Sequence, residues 1–165
     1  GVNALQQGLG TSRAEAQEFF DQYLSAFPKL AGYIEATKAL ASKQGYTETM
    51  FGRRRYLDGI KSPIPYVRAA AERMAINAPM QGSQADIIKL AMVEINEMIG
   101  DSKDVYQLLQ VHDELVFEIK KDKVAEFAPK IKKIMEDALP AKDAKGVPIV
   151  AEGKTGAHWG EMKKI

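Results

Sequence analysis

Apolar residues recur at helical spacing over much of the chain, separated by shorter stretches of a different texture. Ala16, Phe19, Phe20, Tyr23 and Leu24 line one face of a helix. Just before them, Ser12-Arg13-Ala14-Glu15 has the form of a capping box, in which a hydroxyl and a carboxylate satisfy amides that the first helical turn leaves unpaired. The segment before that is punctuated by glycines. Pro28 suits a helix start, and Leu30, Tyr33, Ile34 and Ala41 carry a second helix towards Gly45, with Thr37 the one polar member of its face. Tyr46 to Met50 and Arg55 to Leu57 flank Phe51-Gly52 and predict a short β-hairpin. Asp58 to Pro65 holds two prolines and reads as a loop.

From Tyr66 to about Ile99 the pattern is helical again, and Pro79 and Gly82 are expected to bend or split it. Two apolar-rich runs follow, Tyr106 to Val111 and Leu115 to Ile119, joined by the polar stretch His112-Asp113-Glu114. Val124, Phe127, Ile131, Ile134 and Met135 mark one more amphipathic helix, and Val147 to Ala151 a last strand. Strands lie among helices without a regular βαβ alternation, so the fold class expected is α+β.

Composition narrows the chemistry. Of the 165 residues 45% are hydrophobic, enough to bury a core as one domain or as two small pieces sharing it. The formal net charge is only +1, so a nucleic-acid surface would have to be a local patch. With no cysteine there are no disulfides or thiolate metal sites, and carboxylates or histidines remain as ligands. That composition fits a cytoplasmic protein. No stretch approaches the ~20 apolar residues a membrane helix needs, and the amino terminus lacks the layout of a signal peptide, so no membrane partner is expected. The chain opens on Gly1 rather than Met. A start in mid-protein is one reading, a residue left from cloning the other.

Two adjacent carboxylates, Asp113 and Glu114, fall at the tip of an apolar hairpin. Carboxylates held close on a rigid support repel, and a hard divalent cation relieves that repulsion. Phosphoryl transfer uses such a cation to neutralise charge that shifts in the transition state. A solvated polar turn joining two strands fits the same residues. His112 reads as a hydrogen-bond donor rather than a zinc ligand, because His158 lies far along the chain and no His-x-x-x-His pair exists.

Arg73, Asn77 and Gln81 fall at i, i+4 and i+8. All three donate hydrogen bonds and can reach into the minor groove, where every base pair offers acceptors in similar places. The alternative is a solvated helix face opposite Ala70, Met74 and Ile87. Arg53-Arg54-Arg55, with Lys61 and Arg68, is the densest basic region and suits either phosphate contact or an ordinary soluble loop.

Together these stretches resemble DNA polymerase family A, the bacterial polymerase I type. Gln110-Val111-His112-Asp113-Glu114-Leu115-Val116 resembles motif C, the palm strand-turn-strand that carries catalytic acids. Ala71 to Gly82 resembles the helix that contacts template-primer. Asp86-Ile87-Ile88-Lys89, Gly45 to Thr49 and Gly52 to Tyr56 also fit, and the likeness runs from the Glu15-Ala16-Gln17 helix to the Trp159 region. Several motifs in the family's order and spacing are far more specific than one alone.

The resemblance implies the C-terminal part of a DNA-directed DNA polymerase, a nucleotidyltransferase of DNA replication and repair. The fold expected is a helical fingers remnant (residues 1–65) plus part of the palm (66–165). Template-directed deoxynucleotide addition with two Mg²⁺ ions is implied. Primer-template DNA and deoxynucleoside triphosphates are the implied partners. Asp113 matches the metal-binding catalytic aspartate and Glu114 the neighbouring acid of lesser importance. His112 is placed near the primer terminus. Arg73, Asn77 and Gln81 match minor-groove and template-primer contacts, with Gln110 and Arg68 as further DNA-binding candidates. The family's other catalytic aspartate, in motif A, and its nucleotide-binding fingers helix have no counterpart in this sequence. The expectation is therefore half of a metal site, inactive by itself. A non-catalytic duplex-binding module using the Arg73 to Gln81 surface is the competing reading.

Overall fold

The computed structural model describes residues 1–165, which pack as two compact units, 1–80 and 81–165. The α+β reading holds: long helices carry three small two-stranded antiparallel sheets.

In the first unit, helix α1 (Val2–Leu9) packs against α2 (Arg13–Ala26), and Arg13 donates to Asn3 across them. The capping box forms as the sequence predicts. The Glu15 amide donates to the Ser12 hydroxyl at 3.3 Å, and the Ser12 amide to the Glu15 carboxylate at 2.9 Å. Helix α3 (Pro28–Gln44) begins on Pro28 and stops at Gly45, whose φ of 84° is open to glycine at little cost. Strands β1 (Tyr46–Glu48) and β2 (Arg54–Tyr56) form the expected hairpin. The Thr49 hydroxyl organises its loop, accepting from the amides of Phe51 and Arg53.

The segment after β2 folds back on helix α4 (Pro65–Ile99). Leu57, Ile60, Ala41, Ala71 and Ala75 form the buried core of this unit. Gly59 permits that approach, since a Cβ there would lie 3.0 Å from Val67 Cγ1. The buried line of α4 here is Ala71 and Ala75, while Met74 is 41% exposed. The face opposite the Arg73 stripe is therefore set one residue away from the one the sequence suggests.

Of the bend or split expected at Pro79 and Gly82, the split does not occur: α4 runs through both. Proline removes one i→i−4 bond, here to the Ala75 carbonyl. Packing on either side outweighs that cost, with Ala71 and Ala75 buried in the first unit and Ala91 and Ile95 in the second. One residue further on, the Ile76 carbonyl accepts from Tyr33 Oη at 3.2 Å.

The second unit is built on the β3 (Val105–Val111) and β4 (Glu114–Ile119) hairpin, on α5 (Val124–Asp137) and on the second half of α4. Ala91, Ile95, Val105, Phe127 and Ile131 are its buried centre, and Leu115, Phe117 and Ile119 of β4 pack against them. At the hairpin root the Lys120 amide donates to the Asp104 carbonyl at 2.9 Å, and the two side chains form an ion pair. The hydrogen bond from the Lys120 side-chain ammonium holds the Asp104 carboxyl below its ordinary pKa. A short helix α6 (Ala141–Ala144) follows. The strand expected over Val147 to Ala151 does not form; Val147 and Val150 are exposed, and the segment has no ladder partner. The last sheet instead pairs β5 (Lys154–Thr155) with β6 (Lys163–Lys164).

Candidate catalytic hairpin and nucleic-acid face

The acidic tip is as tight as an antiparallel hairpin allows. Val111 pairs with Glu114, so only His112 and Asp113 lie outside the ladder. Asp113 is thus the second residue of a two-residue turn, and Glu114 the first residue of β4. His112, Asp113 and Glu114 are all exposed, and their support is the core beneath the strands.

Two-residue hairpins need positive φ in the turn to match the strand twist, and glycine or asparagine normally supplies it. Here His112 does so, at φ 56°. For a residue with a Cβ that conformation costs about 1–2 kcal/mol. The Gln110 side-chain amide donates to the His112 carbonyl at 3.0 Å, within the same turn. Sequence reasoning reached both residues as DNA contacts and missed this bond. The available signal was a histidine where a two-residue turn favours Asn or Gly.

No group of three or more His, Asp or Glu side chains in the structure is arranged to hold a metal ion. Asp113 and Glu114 are hard oxygen donors of the kind Mg²⁺ prefers, but they come from one hairpin only. The donor set fits part of a divalent-metal shell rather than a closed one.

Arg68 and Arg73 lie on the first half of α4 in the first unit, beside the β1–β2 hairpin in sequence. The i, i+4 relation of Arg73 and Asn77 is real, since the helix is continuous, and both side chains are exposed. Gln81 follows on the same helix as the first residue of the second unit and is also exposed. Arg68 is differently engaged. Its guanidinium donates to the Ser62 carbonyl at 3.0 Å and lies 3.9 Å from the Glu72 carboxylate, so it ties the loop to the helix. Arg54 pairs with Glu48 at 2.7 Å and sits over the Tyr46 ring, and the Glu48 hydrogen bond pushes its pKa upward. Arg55 reaches the Met74 sulfur at 3.6 Å. Much of the basic run therefore also serves structure.

Comparison with known proteins sets this geometry in a family. The sequence model of DNA polymerase family A matches residues 1–161. The chain belongs to that family. DNA polymerase I of Pseudomonas aeruginosa is 44% identical over 158 residues, which are 95% of this chain and 17% of that protein. The thermostable DNA polymerase I of Thermus filiformis is 42% identical over 163 residues, 99% of this chain and 19% of the relative. Among solved structures, the POL domain of Pol1 from M. smegmatis in complex with DNA primer-template and dNTP matches with a TM-score of 0.80 at 42% identity. The match covers 85% of this chain and 25% of that one. The chain spans less than a fifth of the length of these curated family A relatives. No helix of the structure is long and apolar enough to cross a membrane.

Proposed function

We propose that this chain is part of the fingers (residues 1–65) and palm (66–165) of a DNA-directed DNA polymerase. Its β3–β4 tip would present Asp113 and Glu114 as one side of a two-metal site for deoxynucleotide addition. The observation that carries the reading is the adjacent Asp113 and Glu114, one ending a two-residue turn and the other opening β4, in a chain that family A matches almost end to end.

Asp113 supplies a carboxylate whose backbone is fixed by the turn, and Glu114 supplies a second from the first position of β4. Asp113 and Glu114 would hold a divalent cation such as Mg²⁺ from this side, and its chemistry there would be neutralisation of charge during phosphoryl transfer. One hairpin offers ligands from one side only, so a further segment must provide the rest, and the chain alone does not extend a primer. Exposed Arg73, Asn77 and Gln81 donate to minor-groove acceptors, which suits a protein that must grip any sequence. His112, at the tip, is the residue assigned to the primer terminus. Arg68 joins the DNA-binding set chiefly through the loop it anchors, while the Gln110 amide is already committed to the His112 carbonyl. The DNA primer-template and dNTP in the name of the M. smegmatis structure supply the partner classes.

Single-turnover primer extension in the larger polymerase carrying this segment tests the reading. Asp113→Ala is expected to lower the rate by orders of magnitude and leave primer-template affinity nearly unchanged, with Glu114→Ala milder. The 165-residue chain assayed alongside should give no extension. Near-normal rates for Asp113→Ala would remove the catalytic assignment. Retained duplex binding would then favour a non-catalytic module.

A further inference from the structure

We infer that Gln110 is a positioning residue for Asp113, holding the strained His112–Asp113 peptide in one orientation. The inference rests on the proposed role of Asp113 and adds a residue that acts through it. The His112 carbonyl and the Asp113 amide belong to one rigid peptide plane. That plane is the central peptide of the turn, and turn types interconvert in φ and ψ around it. A rotation of this plane changes Asp113 φ, and with it the side-chain rotamers open to the carboxylate. His112 at φ 56° makes the conformation costly, so something must favour it over its neighbours. The Gln110 amide does so from β3, where its own backbone is held opposite Leu115, by donating to the His112 carbonyl at 3.0 Å. Strand pairing cannot serve that carbonyl, because His112 lies beyond the last paired residues, Val111 and Glu114.

A direct DNA contact and a turn latch make different predictions for the same substitution. Gln110→Ala removes the donor, and Gln110→Glu keeps the size of the side chain but replaces the donor with an acceptor. Each is placed in the larger polymerase, and extension rate at saturating DNA, the Mg²⁺ midpoint and primer-template Kd are measured. Misplacement of a catalytic group by about 1 Å can cost roughly a hundredfold, so a rate loss of roughly ten- to a hundredfold is expected. The Mg²⁺ midpoint should rise in both variants. Primer-template Kd for Gln110→Ala should stay within about twofold of the parent, since the interaction lost is not with DNA. Gln110→Glu guards against a truncation that merely weakens the hairpin.

A loss confined to Kd would overturn the inference and return Gln110 to the DNA interface. So would a rate loss with no change in the Mg²⁺ midpoint, because the effect would not pass through Asp113. An unchanged rate in both variants would overturn it as well. Asp113→Ala, run in parallel, separates the two levels. An inactive Asp113 variant beside normal Gln110 variants removes only the latch, whereas an active one removes the catalytic reading beneath it.

Discussion

Ile95 tests whether the hairpin is held from below. It is 0% exposed, at the centre of the cluster formed by Ala91, Val105, Phe127 and Ile131, which joins the second half of α4 to the root of β3 and to α5. Ile95→Ala removes Cγ1, Cγ2 and Cδ1. At ~0.8 kcal/mol for each buried carbon, transfer alone amounts to ~2.4 kcal/mol. The cavity left behind raises the loss to about 3–4 kcal/mol, within the range such truncations show. Leu90, on the same helix, is 46% exposed and provides the control. Leu90→Ala should cost well under about 1 kcal/mol, as surface substitutions do. Urea unfolding of the chain measures the difference. Trp159 is 52% exposed and lies outside this cluster, so unfolding is followed by far-UV circular dichroism. An unchanged m-value makes the midpoint shift a stability change. Equal shifts for the two variants would show that this core does not carry the unit's stability.

Three further outcomes follow from the geometry. Arg73→Ala in the larger polymerase should weaken primer-template binding by about 1.5–3 kcal/mol, the worth of a charge-assisted hydrogen bond, and by similar amounts on duplexes of different sequence. A loss restricted to one sequence would contradict minor-groove binding without base preference. Ser12→Ala should cost about 1 kcal/mol through loss of the α2 cap, read as faster amide exchange in the first turn of α2. The Ser12 backbone and side-chain hydrogen bonds lower the Glu15 pKa, so its contribution is complete above the unfolded carboxylate value and fades as pH falls through the depressed one. Amide exchange followed from about pH 6 to pH 3 should show that fading in the parent chain and not in Glu15→Gln, whose side chain does not titrate.

The elements most legible in the sequence are those whose signal is local and redundant. The Ser12–Glu15 box, Pro28 and Gly45 each specify a backbone state from one or two residues, and the structure keeps all three. The β3–β4 hairpin was visible because apolar runs meet at a short polar joint, and the short β1–β2 hairpin because its strands flank Phe51-Gly52. What the sequence misjudged depends on tertiary partners. Helix α1 is too short to be stable alone and contains Gly8, but it packs on α2. The segment from Val147 to Ala151 has strand-like residues, yet a strand exists only where another offers its edge, and here β6 pairs with β5 instead. Pro79 is a strong local stop signal, and burial of alanines and Ile95 along the rest of α4 overrides it.

The candidate site was legible in a different way. Asp113 and Glu114 were found because motif C is contiguous, but their chemistry could not be read from local pattern alone. An exposed acidic turn and half of a metal shell look alike until other ligands arrive, and the chain has no third carboxylate or histidine placed to close the shell. The proposed function takes the half-shell reading. Family membership does not reveal how a histidine at φ 56° is kept in place. That came only from the side-chain bond between Gln110 and the His112 carbonyl. The same spacing, i to i+2 across a strand end, is too short for helical or strand periodicity to flag. A residue that sequence assigns to DNA by its donor groups can therefore have that donor committed within the protein, as Arg68 also does at Ser62. Donor chemistry nominates binding residues, and only the geometry of their existing partners decides which remain available to a ligand.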